Sequence, residues 1–239
     1  MLLNTIEAGA GDRVVLLLHG MMGSAESWWR VMSPLAANGN RVIAVDLPGH
    51  GLSPRDERCT VASVADVVVE TLVSCAPGAS VRGIGHSYGG TVLAAIAERM
   101  PVTVAAYVDT ACAFTGGADQ RALAAEYEVD RRRRTDPAWL RRTRPFYSAT
   151  DAVVESRAAE RFDPMTAASI SSGGDVAHEL ESGSILVRAR PSGFVSDKDA
   201  AQAARRGVLV RDIADAAHSV WYSHFDEFCA ALPEFFGGN

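Results

Sequence analysis

Short apolar runs recur along the chain, separated by stretches in which apolar residues return every three or four positions. The runs are Arg13–His19, Arg41–Asp46, Ser80–Gly85, Val102–Asp109, Ser184–Arg190 and Gly207–Ile213, and their length and composition predict strands. Helical periodicity covers about Glu26–Ala37, Val61–Cys75, Tyr88–Met100, Asp197–Arg205 and Val220–Leu232. Pro101 stops the third of these helices, and Ser196 is placed to cap the fourth. Strands that are apolar along their whole length and alternate with helices imply a mostly parallel sheet with helices on both faces. Ligands on such sheets bind outside the carboxyl ends of the strands. His19, Asp46, His86-Ser87, Asp109 and the loop from Ile213 to His218 all fall at such ends.

Ala111–Gly183 breaks the alternation. It shows no strand pattern and reads as helical over Ala118–Arg134 and Pro137–Arg142; it is too long for a simple connection. Its large apolar residues, Phe114, Trp139, Phe146, Tyr147, Phe162 and Met165, are expected either to face a pocket or to anchor the segment to the core. Phe114 and Trp139 are the candidates for substrate contact. The arginines Arg131 to Arg134, with Arg141, Arg142 and Arg144, could invite an anionic substrate or a carrier protein. Glu126, Glu128, Asp130 and Asp136 partly neutralise them, and the cluster is read as a solvated helix face.

The 239 residues fit one large domain rather than two. A net charge of −6 gives no reason to expect nucleic acid or an anionic membrane as partner. No apolar run is long enough to span a bilayer, and no charged-then-apolar leader is visible, so a cytoplasmic location is expected. Cys59, Cys75, Cys112 and Cys229 are widely spaced and read as reduced thiols, not as a disulfide frame or a metal site. No phosphate loop, dinucleotide fingerprint or metal spacing occurs, so no cofactor is expected.

The candidate chemistry centres on Gly85-His86-Ser87-Tyr88-Gly89. This is G-x-S-x-G between a predicted strand and a predicted helix, the pattern of a tight turn that lifts a serine hydroxyl above a sheet. A serine hydroxyl needs a base to take its proton and donors to hold the oxyanion formed on attack. Upstream, Val14–Leu18 ends in His19-Gly20-Met21-Met22-Gly23; downstream, the last strand is followed by Ala216-Ala217-His218-Ser219.

With these segments the chain resembles the α/β-hydrolase family from about Val14 to Phe236. The strand-His-Gly segment is similar to that family's oxyanion loop. Asp46-Leu47-Pro48-Gly49-His50-Gly51 is similar to its loop after the next strand. The resemblance implies Ser87 as nucleophile, His218 as base, the backbone N–H groups of Met21 and Tyr88 as oxyanion hole, and residues 111–183 as a helical cap inserted after the strand that ends at Asp109. The side chains of Met21 and Tyr88 are then free to touch substrate. His19, His50 and His86 are expected to be structural, His178 to lie in the cap, and His224 inside the final helix. Ala217 stands where the family usually has glycine. The family's acid most often follows the strand at Ser184–Arg190, where this chain has Pro191. Asp197 and Asp199 read as first-turn helix acids, and Asp215 is three residues from His218. Asp109 is therefore assigned as the acid, in a position some family members use. The expected activity is hydrolysis of an ester of a small, largely apolar substrate through an acyl-enzyme. Thioester, lactone or C–C bond hydrolysis at the same site remains open, as does a non-hydrolytic binder or lyase on this scaffold. Dehalogenase and epoxide hydrolase chemistry would need a carboxylate where Ser87 stands.

Overall fold

The structure, a computed structural model, describes residues 2–111 and 113–237; Cys112 lies outside the described residues. The elements in chain order are β1 (Thr5–Ala8), β2 (Arg13–Leu18), a 3-10 turn (Ala25–Trp28), α1 (Trp29–Ala37), β3 (Arg41–Val45), α2 (Val61–Cys75), β4 (Ser80–His86), α3 (Tyr88–Ala97), β5 (Val102–Val108) and β6 (Ala113–Phe114). They continue with α4 (Gln120–Arg134), α5 (Pro137–Thr143), α6 (Ala149–Arg161), α7 (Pro164–Ser172), β7 (Val176–Ala177), β8 (Ile185–Arg190), α8 (Asp197–Arg205), β9 (Leu209–Ala214), α9 (Val220–Ser223), α10 (Phe225–Ala230) and α11 (Pro233–Phe236).

Seven strands form one sheet in the order β1-β3-β2-β4-β5-β8-β9. All neighbours are parallel except β1, which runs antiparallel to β3. Successive side chains of a strand point to opposite faces, and here both faces are dry. Val14, Leu16 and Leu18 pack with α2, α3 and α8 through Val64, Val68, Leu93 and Ala200. Val15 and Leu17 pack with α1 and the C-terminal helices through Val31, Leu35, Trp221 and Phe228. Two-sided burial is why these strands read as unbroken apolar runs rather than alternating ones.

The pattern missed three features. β1 is a four-residue edge strand with only partial burial, too short and too mixed to stand out. The Ala111–Gly183 segment, read as strand-free, contains β6 and β7, which pair antiparallel and tie its two ends together. Two-residue strands carry no periodicity. The expected final helix over Val220–Leu232 is instead two short helices, α9 and α10, with α11 following. Its first break follows Ser223, whose hydroxyl accepts from the Ala217 N–H at 3.0 Å and donates back to the Val220 carbonyl. His224 therefore sits between α9 and α10, not inside a helix.

Helices α4 to α7 stand at the carboxyl-end side of the sheet, held there by buried and half-buried polar ties. Asp151 of α6 accepts from Trp29 Nε1 at 3.1 Å, and Glu26 pairs with both Arg157 and Arg161. Glu155 accepts from the Tyr222 hydroxyl at 2.9 Å and from Arg134 at 3.1 Å, linking α6 to α4 and α9.

Candidate active site

The chain turns sharply between β4 and α3. Ser87 stands at the turn with φ 50° and ψ −121°, a conformation costly for a non-glycine residue and held only where surrounding structure over-determines it. Here the Ser87 N–H donates to the Val108 carbonyl of β5 at 3.0 Å, and its carbonyl accepts from Gly90 and Thr91. Gly89 lets the helix close on β2, because a Cβ there would lie 2.4 Å from the carbonyl oxygens of Leu18 and His19. Gly20 brings the loop after β2 onto the serine: a Cβ on it would lie 3.2 Å from Ser87 Cβ and 2.7 Å from His86 Nδ1.

That loop is closed by a bond from Gly23 N–H to the Gly20 carbonyl at 3.0 Å, with Met22 at φ 63°. The Met21 N–H is left outside the turn's own bond. The Tyr88 N–H opens α3, where helical N–H groups have no intrahelical partner. The loop is braced by His19, which is fully buried. Its Nε2 accepts from the Leu47 N–H at 3.0 Å, so its Nδ1–H donates to the Gly20 carbonyl at 2.8 Å. Burial lowers the His19 pKa and keeps the ring neutral. Asp46, buried at the end of β3, ties the neighbouring loops: it accepts from the N–H groups of Ala25 and Leu52 and from Asn4 Nδ2.

On the other side of the serine, His218 Nδ1 lies 2.7 Å from Asp109 Oδ2. Asp109 ends β5 in a left-handed conformation, φ 45°, which aspartate tolerates better than most residues. It is 1% exposed. Its N–H donates to the Val187 carbonyl of β8, and its Oδ1 accepts from the Ala189 N–H at 3.3 Å. The carboxylate is thus fixed by the sheet itself. The other carboxylates considered from sequence are not brought to His218. Asp197 pairs with Arg188 at 2.7 Å in the first turn of α8, Asp199 accepts from the Ser196 hydroxyl, and Asp215 is exposed. The loop after β8 supplies an aromatic ring instead of an acid: Phe194 stacks on His218 at 3.9 Å. His86 Nε2–H donates to the His218 carbonyl at 3.0 Å, so the residue before the serine holds the backbone of the histidine. Burial, then the neighbouring His218, push the His86 pKa well down.

Two cavities meet at Ser87. One, of about 400 Å³, is walled by Met21, His218, Arg134, Arg144, Tyr147 and Trp221 among others. The second, of about 380 Å³, is walled by Met21, Tyr88, Phe114, Tyr127 and Ile170. Met21, Tyr88 and Phe114, all expected near substrate, therefore line the site. Trp139 lines neither cavity: it packs against the core, with the Arg144 guanidinium 5.5 Å from its ring. Phe146 and Tyr147 reach the first cavity, whereas Phe162 is buried against Met22 and Ala167. The arginine cluster divides. Arg131 and Arg132 share Glu128, and Arg142 reaches Asp136, as a solvated face would. Arg134 and Arg144 instead turn into the cavity, a correction to the reading of the cluster as solvent-facing throughout. Arg134, Arg144, Glu155, Phe194 and Trp221 were not marked as site residues, and no spacing in the sequence connects them.

The remaining histidines, His50, His178 and His224, line neither cavity at Ser87. His50 donates Nδ1–H to the Pro48 carbonyl at 2.9 Å, and burial lowers its pKa to about 3. His178 lies 2.8 Å from Glu98. Among the described residues, no group of three His, Cys, Asp or Glu side chains is arranged to hold a metal ion. No helix among them is long and apolar enough to cross a membrane.

Comparison with known proteins bears on the family and the fold. A family model described as the alpha/beta hydrolase family matches residues 15–231. The chain belongs to that family. The fold agrees with solved structures: an N-formylmaleamic acid deformylase from Pseudomonas putida S16 superposes with a TM-score of 0.76 at 19% identity, over 95% of this chain and 94% of that one. An enol-lactonase from Burkholderia xenovorans LB400 superposes with 0.73 at 16% identity, over 98% and 95%. Among curated relatives, the esterase PIR7B of Oryza sativa subsp. japonica is 35% identical over 102 residues, 41% of this chain and 38% of that protein. A pimeloyl-[acyl-carrier protein] methyl ester esterase of Sodalis glossinidius is 38% identical over 103 residues, 43% of this chain and 38% of that protein. The matched stretch thus spans about two fifths of those relatives' length.

Proposed function

We infer that the protein is a serine hydrolase that cleaves carboxylic esters through an acyl-enzyme. The observation that carries this reading is the 2.7 Å contact between His218 Nδ1 and the buried Asp109 carboxylate, with His218 and Ser87 on one cavity. A carboxylate at Nδ1 selects the tautomer whose Nε2 is a free base and stabilises the imidazolium formed on attack. Ser87 Oγ would attack the ester carbonyl as His218 takes its proton. The N–H groups of Met21 and Tyr88 would hold the oxyanion, and the imidazolium would return the proton to the departing alcohol. Water would repeat the cycle on the acyl-enzyme. This route needs no metal or cofactor. The esterase names of the curated relatives support the ester over other acyl bonds. Residues 111–183 act in this reading as a cap that selects substrate. A fluorophosphonate probe tests the assignment: it should block turnover of short p-nitrophenyl esters and be recovered on Ser87 in peptide maps. Labelling of any other residue, or turnover that survives Ser87→Ala, sinks it.

A further inference from the structure

The charge lining the first cavity is out of keeping with an apolar ester. Arg134 and Arg144 both face it. Glu155 is the one carboxylate on its wall, and both of its oxygens are engaged, by Arg134 and by the Tyr222 hydroxyl. Arg144 is half-buried and has no carboxylate partner among the described residues. Its guanidinium lies 5.5 Å from the Trp139 ring and 6.0 Å from the Tyr147 ring, and its Nη1 donates only to the neighbouring Thr143 hydroxyl at 3.2 Å. The aromatic rings hold the side chain without neutralising it. Burial lowers the pKa of His19 and His86, so these two buried rings add no further charge to the wall. The wall therefore carries one net positive charge, in a chain whose net charge is −6. On the solvent side of the same helices, Arg131 and Arg132 share Glu128 and Arg142 reaches Asp136. An unpaired guanidinium is costly to desolvate against a neutral ligand and strongly favourable against a carboxylate, which it can meet with two parallel hydrogen bonds.

We propose that the substrate carries an anionic group, a carboxylate, which docks on Arg144 with Arg134 behind it while its ester reaches Ser87. The proposal rests on the serine hydrolase reading for its chemistry, but the anion site can be tested without it. Two pairs of esters separate charge from shape: p-nitrophenyl hemiglutarate against p-nitrophenyl valerate, with the charge on the acyl side, and 4-acetoxybenzoate against phenyl acetate, with the charge on the leaving side. In at least one pair the anionic member should have the higher kcat/KM, by about tenfold to a hundredfold, the worth of a charge-assisted contact. Arg144→Gln should erase that ratio by raising KM for the anionic ester far more than for its neutral partner. Added salt should weaken the wild-type preference. Equal kcat/KM within both pairs, or an Arg144→Gln loss shared equally by charged and neutral esters, overturns the proposal. If no ester is turned over, the serine hydrolase reading fails. The anion site is then decided by a ligand-observed NMR titration of monomethyl glutarate and methyl hexanoate on Ser87→Ala protein. Binding of the anion alone, lost in Ser87→Ala/Arg144→Gln, upholds it; equal binding of the two, or none, overturns it.

Discussion

Asp109 and Asp197 show how two aspartates near the same end of a sheet can differ in work. Asp109 is buried, donates its N–H to the Val187 carbonyl, accepts from the Ala189 N–H and faces His218. Asp197 is exposed, in the first turn of α8, and pairs with Arg188. Asp109→Asn keeps the shape and tolerates the positive φ that the position demands, but the amide cannot hold the imidazole in the required tautomer. Turnover of p-nitrophenyl esters should fall by about three to four orders of magnitude, as in other triads that lose their acid, with the circular dichroism spectrum unchanged. Asp197→Asn should alter turnover less than about twofold, since Asp197 is exposed and Arg188 keeps its pairing with Asp212. The reverse ordering in side-by-side assays would move the acid to Asp197.

At the scale of elements, helices α4 to α7 combine anchors with pocket walls. Phe162 is 2% exposed and packs on Met22 and Ala167, which locks α7 and its preceding loop to the oxyanion loop. Phe114 is only partly buried and faces the second cavity. Phe162→Ala should cost about 3–5 kcal/mol in urea unfolding, the usual result of emptying a buried aromatic site. Phe114→Ala should cost far less and instead shift the optimum of a p-nitrophenyl acyl-chain series toward longer chains. Equal destabilisation by both, with no change of chain-length optimum, would make the whole segment an anchor and leave selection to the core.

For the molecule as a whole, three buried neutral histidines couple stability to pH. The unfolded chain binds a proton on each near pH 6.5, whereas His50 in the folded protein does so only near pH 3, and His19 and His86 are also shifted down. A histidine with a lowered folded pKa makes the unfolded state the better proton acceptor, so stability falls as pH drops below 6.5 and is restored as pH rises above it. His50 alone should remove about 2 kcal/mol of stability between pH 7 and pH 5, a window above the titration of ordinary carboxylates. Urea midpoints at the two pH values measure the loss, and His50→Asn should show a shallower pH dependence than wild type. A stability independent of pH across that window would mean that the buried rings are hydrated.

What the chain determined locally is the α/β layering and the serine turn. Two-sided burial writes unbroken apolar strands into Val14–Leu18 and Val42–Val45, and the approach of α3 to β2 demands glycine at position 89. Such requirements act through a residue's own backbone and immediate neighbours, so they leave a pattern in linear order. Tertiary structure decided which carboxylate met His218, because Asp109 is 109 positions away and its placement depends on strand order β5-β8-β9. It also decided that Arg134 and Arg144 face the cavity while Arg131 and Arg132 bind Glu128. The fold of the insertion sorts those arginines: positions along α4 and α5 differ in which neighbouring helix or cavity they meet, and no periodicity in the sequence records that meeting.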